Sequence, residues 1–111
     1  MTGFAMNYVE ECDSLGIFTW EESMKYLSTW VYDPSCVEAI TERFMQTGGK
    51  APEGVTMLGR WFDVAGGRGY ALSESIDPIA MAKWTREWSD LMSFEVTPVL
   101  DDEQMVQLLQ D

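Results

Sequence analysis

The chain has 111 residues, with nineteen Asp and Glu against seven Lys and Arg, a net charge of −12, and no histidine. That charge repels nucleic-acid phosphates and anionic lipid, so neither nucleic acid nor a membrane surface is an expected partner. The missing imidazole excludes histidine triads and histidine-held zinc or haem, and 46% hydrophobic with 23% charged residues describes one globular domain rather than a disordered chain.

Residues 1–23 read as an arm. Phe4, Tyr8, Cys12 and Leu15 fall at helical spacing, with Thr2 as a candidate N-cap and Gly16 as a stop, and Ile17 to Trp20 follow as an extended connection. The arm holds Glu10, Glu11, Asp13, Glu21 and Glu22 but no Lys or Arg. A secretory leader needs a basic start and a long apolar run, and no stretch of the sequence reaches the ~18 apolar residues of a bilayer span. The expected location is therefore the cytoplasm. Cys12 and Cys36 match no metal-ligand spacing and read as reduced thiols rather than a disulfide.

From Met24 onward the pattern is regular. Lys25 to Tyr32, rich in aromatic and β-branched residues, predicts a strand. Asp33-Pro34 supplies an N-cap and a first-turn proline. The helix after it carries Val37, Ile40 and Phe44 on one stripe and stops at Gly48-Gly49. Beyond the turn Ala51-Pro52-Glu53-Gly54, Val55 to Val64 predicts a second strand, Gly66-Gly67 a two-residue hairpin, and Gly69 to Ser75 the returning strand. Asp77-Pro78 opens another helix, with the stripe Met81, Trp84, Trp88 and Leu91. A shift of 44 residues superposes Asp33-Pro34 on Asp77-Pro78, Val37 on Met81, Ile40 on Trp84, Thr41 on Thr85 and Phe44 on Trp88. Phe94 to Leu100 predicts a fourth strand, placed at an edge or bulge by Pro98. Asp101, Asp102 and Glu103 then begin a helix whose apolar contacts are Met105, Val106, Leu108 and Leu109.

The order βαββαβ, with an internal repeat, predicts a ferredoxin-like α+β sandwich over residues 24–111, preceded by the arm and closed by a terminal helix. Both helices cover one sheet face. The strands are apolar on both sides: Tyr26, Trp30 and Tyr32 alternate with Leu27 and Val31, and Met57 and Trp61 with Leu58 and Phe62. A monomer would leave a large apolar patch in water. The expected assembly is thus a symmetric homodimer with its sheets face to face, a dimeric α+β barrel.

The motifs Pro52-Glu53-Gly54-Val55, Gly59-Arg60-Trp61, Trp84-Thr85-Arg86-Glu87-Trp88-Ser89-Asp90-Leu91 and Pro98-Val99-Leu100 carry a resemblance. Over Met24 to Asp111 the chain resembles a family of small proteins classed as a domain of unknown function, within the dimeric α+β barrel superfamily. The resemblance implies fold and dimerisation and no established activity; the arm falls outside it.

A Gly66-Gly67 turn makes paired residue numbers across the hairpin sum to 133, so that Trp61 opposes Leu72, Arg60 opposes Ser73 and Gly59 opposes Glu74. Gly59 would then leave space for Glu74 on a face shared with Met57, Trp61, Asp63, Tyr70 and Leu72. Burial in such a wall raises a carboxylic acid's pKa and makes it a general acid or base; an ion pair within or across the dimer is the plainer role. Arg60 falls on the other face, either to clamp a ligand carboxylate or to pair with Asp90 or Glu87. An inverted assignment of the faces exchanges Arg60 and Glu74. Trp84 and Trp88 fit core packing, and Trp30 and Trp61 fit a pocket or an interface. Asp101-Asp102-Glu103 lacks the pattern of a calcium loop and fits helix capping, and Gly66-Gly67-Arg68-Gly69 lacks the residues of a phosphate loop.

Two functions fit these residues. One is a dimeric barrel binding a small apolar or aromatic metabolite between sheet and helices; if it is an enzyme, the chemistry is cofactor-free proton transfer or monooxygenation with Glu74 as acid or base and Trp30, Trp61 and Tyr70 as walls. The other is a non-enzymatic interaction module using the arm and the acidic surface. A haem enzyme would need cysteine, methionine or tyrosine ligation.

Overall fold

The computed structural model describes residues 23–110; the helix expected within the arm, Cys12 included, lies outside them. Four strands, β1 (Met24–Val31), β2 (Thr56–Phe62), β3 (Arg68–Ser75) and β4 (Ser93–Val99), alternate with α1 (Val37–Thr47) and α2 (Pro78–Arg86), and α3 (Asp102–Gln110) closes the chain. The sheet order is β2-β3-β1-β4 with every neighbour antiparallel. This is the ferredoxin-like α+β sandwich, and β4, with its proline, is an edge strand.

Each half begins with the same local device. Asp33 Oδ1 accepts from the Ser35 N–H at 2.9 Å, and Asp77 Oδ1 accepts from the Ile79 N–H at 2.9 Å, each followed by proline in the first turn. The repeat legible in the sequence is therefore a repeat of caps. Gly48 ends α1 at φ +71°, where a side chain would be strained, and its N–H donates to the Phe44 carbonyl at 2.7 Å. At α3, Asp101 Oδ1 accepts from the Gln104 N–H at 2.8 Å while Gln104 Oε1 accepts from the Asp101 N–H at 2.9 Å. The acidic cluster thus opens with a reciprocal capping box.

The β2–β3 hairpin departs from the expected register for two reasons. Asp63 turns the chain early: its Oδ1 accepts from the Ala65 N–H at 2.8 Å, and its own N–H reaches the Arg68 carbonyl at 3.0 Å. The glycine pair therefore sits inside a longer loop rather than forming a two-residue turn, and Trp61 pairs with Tyr70 instead of Leu72. In addition, β2 holds an extra residue between Met57 and Gly59, a β-bulge. Gly59 pairs with Leu72, Arg60 with Ala71 and Thr56 with Glu74. Met57 and Trp61, read from alternation as one face, consequently lie on opposite faces.

The inner face, under α1 and α2, carries Tyr26, Ser28, Trp30, Ala71, Ser73 and Ser75, all buried. Gly69 pairs with both Trp30 and Phe62, and a Cβ there would overlap the Trp30 indole. The outer face carries Leu27, Val31, Trp61, Tyr70 and Leu72; Leu27 is 40% and Trp61 56% exposed. Space over Gly59 is taken by the Trp61 indole, so it does not serve Glu74.

Replacing Gly69 by alanine will force Trp30 from its seat and cost about 1–3 kcal/mol, as overpacked cores do, read as a lower urea midpoint. Among the described residues, acid will act through three carboxyls held below their ordinary range: Asp33 by the Ser35 N–H, Asp90 by the Arg43 guanidinium, and Asp101 by the Gln104 N–H with added help from Lys25. Depressed carboxyls contribute stability that is complete above the unfolded value of about 3.9 and is lost as pH falls through the lower folded-state values. Urea midpoints will accordingly hold steady above about pH 5 and fall below pH 4. In Asp101→Asn, which keeps a capping oxygen, that fall will be shallower.

Candidate functional site

Between the inner sheet face and the two helices lies a cleft of about 240 Å³. It exceeds the ~150 Å³ that suffices for benzene and falls just short of the ~300 Å³ at which most ligand clefts begin. Its volume follows from side-chain size. The floor is built at Ser28 and Ala71, beside Gly69, and nothing long rises from these positions. Above it, no residue of α1 is buried; Ile40 and Phe44 are only half-covered. The apolar stripe of α1 faces the sheet without pressing into it.

Aromatic rings make the walls. Trp30 meets Phe62 edge-on at 6.5 Å and Phe94 at 6.0 Å, and Phe44 meets Phe62 edge-on at 6.2 Å. These separations are within the range of favourable ring pairs, so the rings hold one another in place. Trp84 and Trp88 close the α2 side; Trp88 is buried and Trp84 half-exposed.

Arg60 enters this wall from β2. Its Nη1 donates to the Gly49 carbonyl at 2.7 Å and its Nη2 to the Gly48 carbonyl at 3.2 Å, both at the C-terminal end of α1, where carbonyls carry partial negative charge. The guanidinium lies 5.1 Å from the centre of the Phe44 ring and 5.9 Å from that of Phe62. Gly49 admits it, because a Cβ there would stand 2.7 Å from Nη1. Burial pulls the guanidinium pKa below its ordinary value, yet arginine stays charged.

No carboxylate among the described residues pairs with Arg60. Asp90, one partner expected for it, is gripped by Arg43 through Nη1–Oδ1 at 2.9 Å and Nη2–Oδ2 at 2.8 Å. Arg43 also donates to the Glu87 carbonyl at 2.8 Å and lies 5.3 Å from the centre of the Trp88 ring. That clasp joins α1 to the turn after α2 across the roof of the cleft.

Glu74 lies on the outer face. Its Oε2 accepts from the Ser23 hydroxyl at 2.8 Å and stands 3.5 Å from Lys25 Nζ, which also donates to Asp101 at 3.0 Å. The Glu74 side chain is 32% exposed, in a polar cluster rather than an apolar wall. The structure thus brings Trp30 and Arg60 together in the cleft and leaves Trp61, Tyr70 and Glu74 across the sheet. Sequence reasoning missed Phe44, Phe62, Phe94 and the two threonines as cleft residues. A signal was present: Ile40, Thr41 and Phe44 all line the cleft, and so do their counterparts at 44 residues' distance, Trp84, Thr85 and Trp88.

Among curated proteins none matches this sequence. Among solved structures, a protein of Bacteroides thetaiotaomicron provisionally assigned as an antibiotic biosynthesis monooxygenase is similar, with TM-score 0.50 and 18% identity over 74% of this chain and 91% of its own. A Pseudomonas aeruginosa protein is similar with TM-score 0.49 and 14% identity, over 72% of this chain and 94% of that one. The Bacteroides likeness agrees with the strand order described above and is a likeness of fold, the ferredoxin-like α+β sandwich. Residues 24–111 match the family described as a domain of unknown function (DUF3303), and the chain belongs to that family.

Proposed function

We propose that the protein is a homodimer, with the outer sheet faces packed together, whose cleft binds a small apolar or aromatic molecule. The observation that carries the binding reading is the 240 Å³ space walled by Trp30, Phe44, Phe62 and Trp88. A wall of mutually braced rings offers a flat apolar ligand contact on several sides without having to reorganise. Glu74 would meet a ligand only in the space between two sheets of the dimer; its bonds to Ser23 and Lys25 suit it to anchoring the rim of that interface. The name given to the Bacteroides protein makes oxygenation the first activity to assay once a ligand is in hand.

The dimer reading rests on Leu27, Val31 and Trp61, all at least 39% exposed on the outer face beside Tyr70 and Leu72. Such a patch is costly in water, and its tryptophan has the character of an interface anchor. Sedimentation equilibrium at micromolar concentration will give twice the chain mass. Trp61→Glu will weaken association by roughly 30-fold or more, the loss expected on removing a hot-spot side chain. A wild-type monomer at that concentration would overturn the dimer.

The cleft is tested with 2-naphthamide, a neutral two-ring probe, by titration calorimetry. Saturable binding at one molecule per chain is expected. Thr41 is exposed at the rim, so Thr41→Trp will weaken that binding by roughly tenfold or more while leaving the melting temperature unchanged, because it fills space without touching the core. Binding indifferent to Thr41→Trp would place the probe elsewhere and end the cleft reading.

A further inference from the structure

Taking the cleft as the binding site proposed above, we infer that its ligand is an aromatic carboxylate, a ring system of one or two rings bearing a single anionic group that pairs with Arg60. The inference rests on the charge inventory of the cleft. Among the described residues, its lining includes one cation, Arg60, and no acid. The chain as a whole has nineteen acids to seven bases, so a lone cation in an acid-free aromatic cleft runs against the composition of the protein around it.

Arg60 is also incompletely used. Two neutral carbonyls occupy one N–H on each of Nη1 and Nη2. A guanidinium has five N–H donors, so three have no partner among the described residues. Neutral carbonyls satisfy hydrogen bonds but do not neutralise a charge partly withdrawn from water, and a carboxylate does both. The guanidinium is held at the Gly48 and Gly49 carbonyls and flanked by the rings of Phe44 and Phe62. Its fork is thus fixed before a ligand arrives, which lowers the entropy lost on binding. The same wall that orients Arg60 continues into Trp30 and Trp88, where the ring of the ligand lies. Thr41 lines the cleft as well and supplies a hydroxyl, whereas that of Thr85 already donates to the Ala82 carbonyl at 2.9 Å. The plainer role of Arg60, closing the C-terminal end of α1, accounts for the two carbonyl bonds but predicts no preference for an anion.

The test compares 2-naphthoate with 2-naphthamide, near-isosteres that differ in charge, on the full chain at about 0.15 M salt, where long-range repulsion from the acidic surface is screened beyond ~8 Å. Wild type will bind naphthoate tenfold to a hundredfold more tightly than naphthamide, the range of a charge-assisted hydrogen-bonded contact. In Arg60→Gln the ratio of the two affinities will fall to near one; Arg60→Lys will retain part of the preference, having charge without the fork. If Arg60→Gln does not fold, the wild-type pair of affinities and the shift of the Arg60 Nε–H resonance on adding naphthoate decide the matter. Equal wild-type affinities, or a preference that survives Arg60→Gln, would overturn the anion assignment and leave the cleft intact. Failure of both probes to bind would instead remove the cleft reading itself.

Discussion

Between Met57 and Gly59, β2 holds one residue more than the strand it pairs with, and because side chains alternate with a period of two, that residue sets the chemistry of both sheet faces. Downstream of the bulge, Arg60 and Phe62 turn toward the helices while Trp61 turns away. Without it, the pairing of Met57 with Ser73 would continue unbroken and the parity would reverse. The cation would lie on the outer face, and the indole would be driven into the space over Gly69 that Trp30 occupies. The bulge thus separates an inner face built around a cleft from an outer face built around an exposed aromatic patch.

The cleft exists because large and small residues are segregated across it. Ser28 and Ala71 form a low floor, and the rings of Trp30, Phe44, Phe62 and Phe94 stand at its sides. Arg43 fixes the roof through its paired bonds to Asp90 and its bond to the Glu87 carbonyl. Both ends of that clasp are partly in water, so it serves as a geometric tie between the helices more than as a source of stability. The two halves of the repeat contribute equivalent positions to the lining, Ile40 with Trp84, Thr41 with Thr85 and Phe44 with Trp88. The cleft is therefore a product of the repeat itself.

What could be read from the sequence was what is decided locally. Asp-Pro punctuation, the Gly48 stop and the Asp101 start each depend on a few adjacent residues, and the element order built on them gives the ferredoxin-like topology. The hairpin register was not legible. It depends on Asp63 bonding its own loop and on a bulge that no residue type announces, so the expected pairings of Gly59, Arg60 and Trp61 were each displaced. A pocket between sheet and helices was expected, but most of its lining was hidden for another reason. Periodicity identifies the side of a helix that faces a sheet, and it carries no information on how closely the two approach, so it could not assign the stripe of α1 to a cleft wall. The destination of Arg60 likewise turned on a competition with Arg43 for Asp90, which is settled only by the placement of α1 against the turn after α2.

The two outermost strands of the sheet are both poor templates. On one side, the bulge in β2 breaks the even spacing of the main-chain groups; on the other, Pro98 in β4 has no N–H to offer a newcomer. Copies of the chain are thereby discouraged from joining side by side into a continuous ribbon. A pairing that buries broad surfaces stops at a closed count, whereas one that extends hydrogen-bonded ladders does not, and irregularities at both margins favour the kind of assembly that ends.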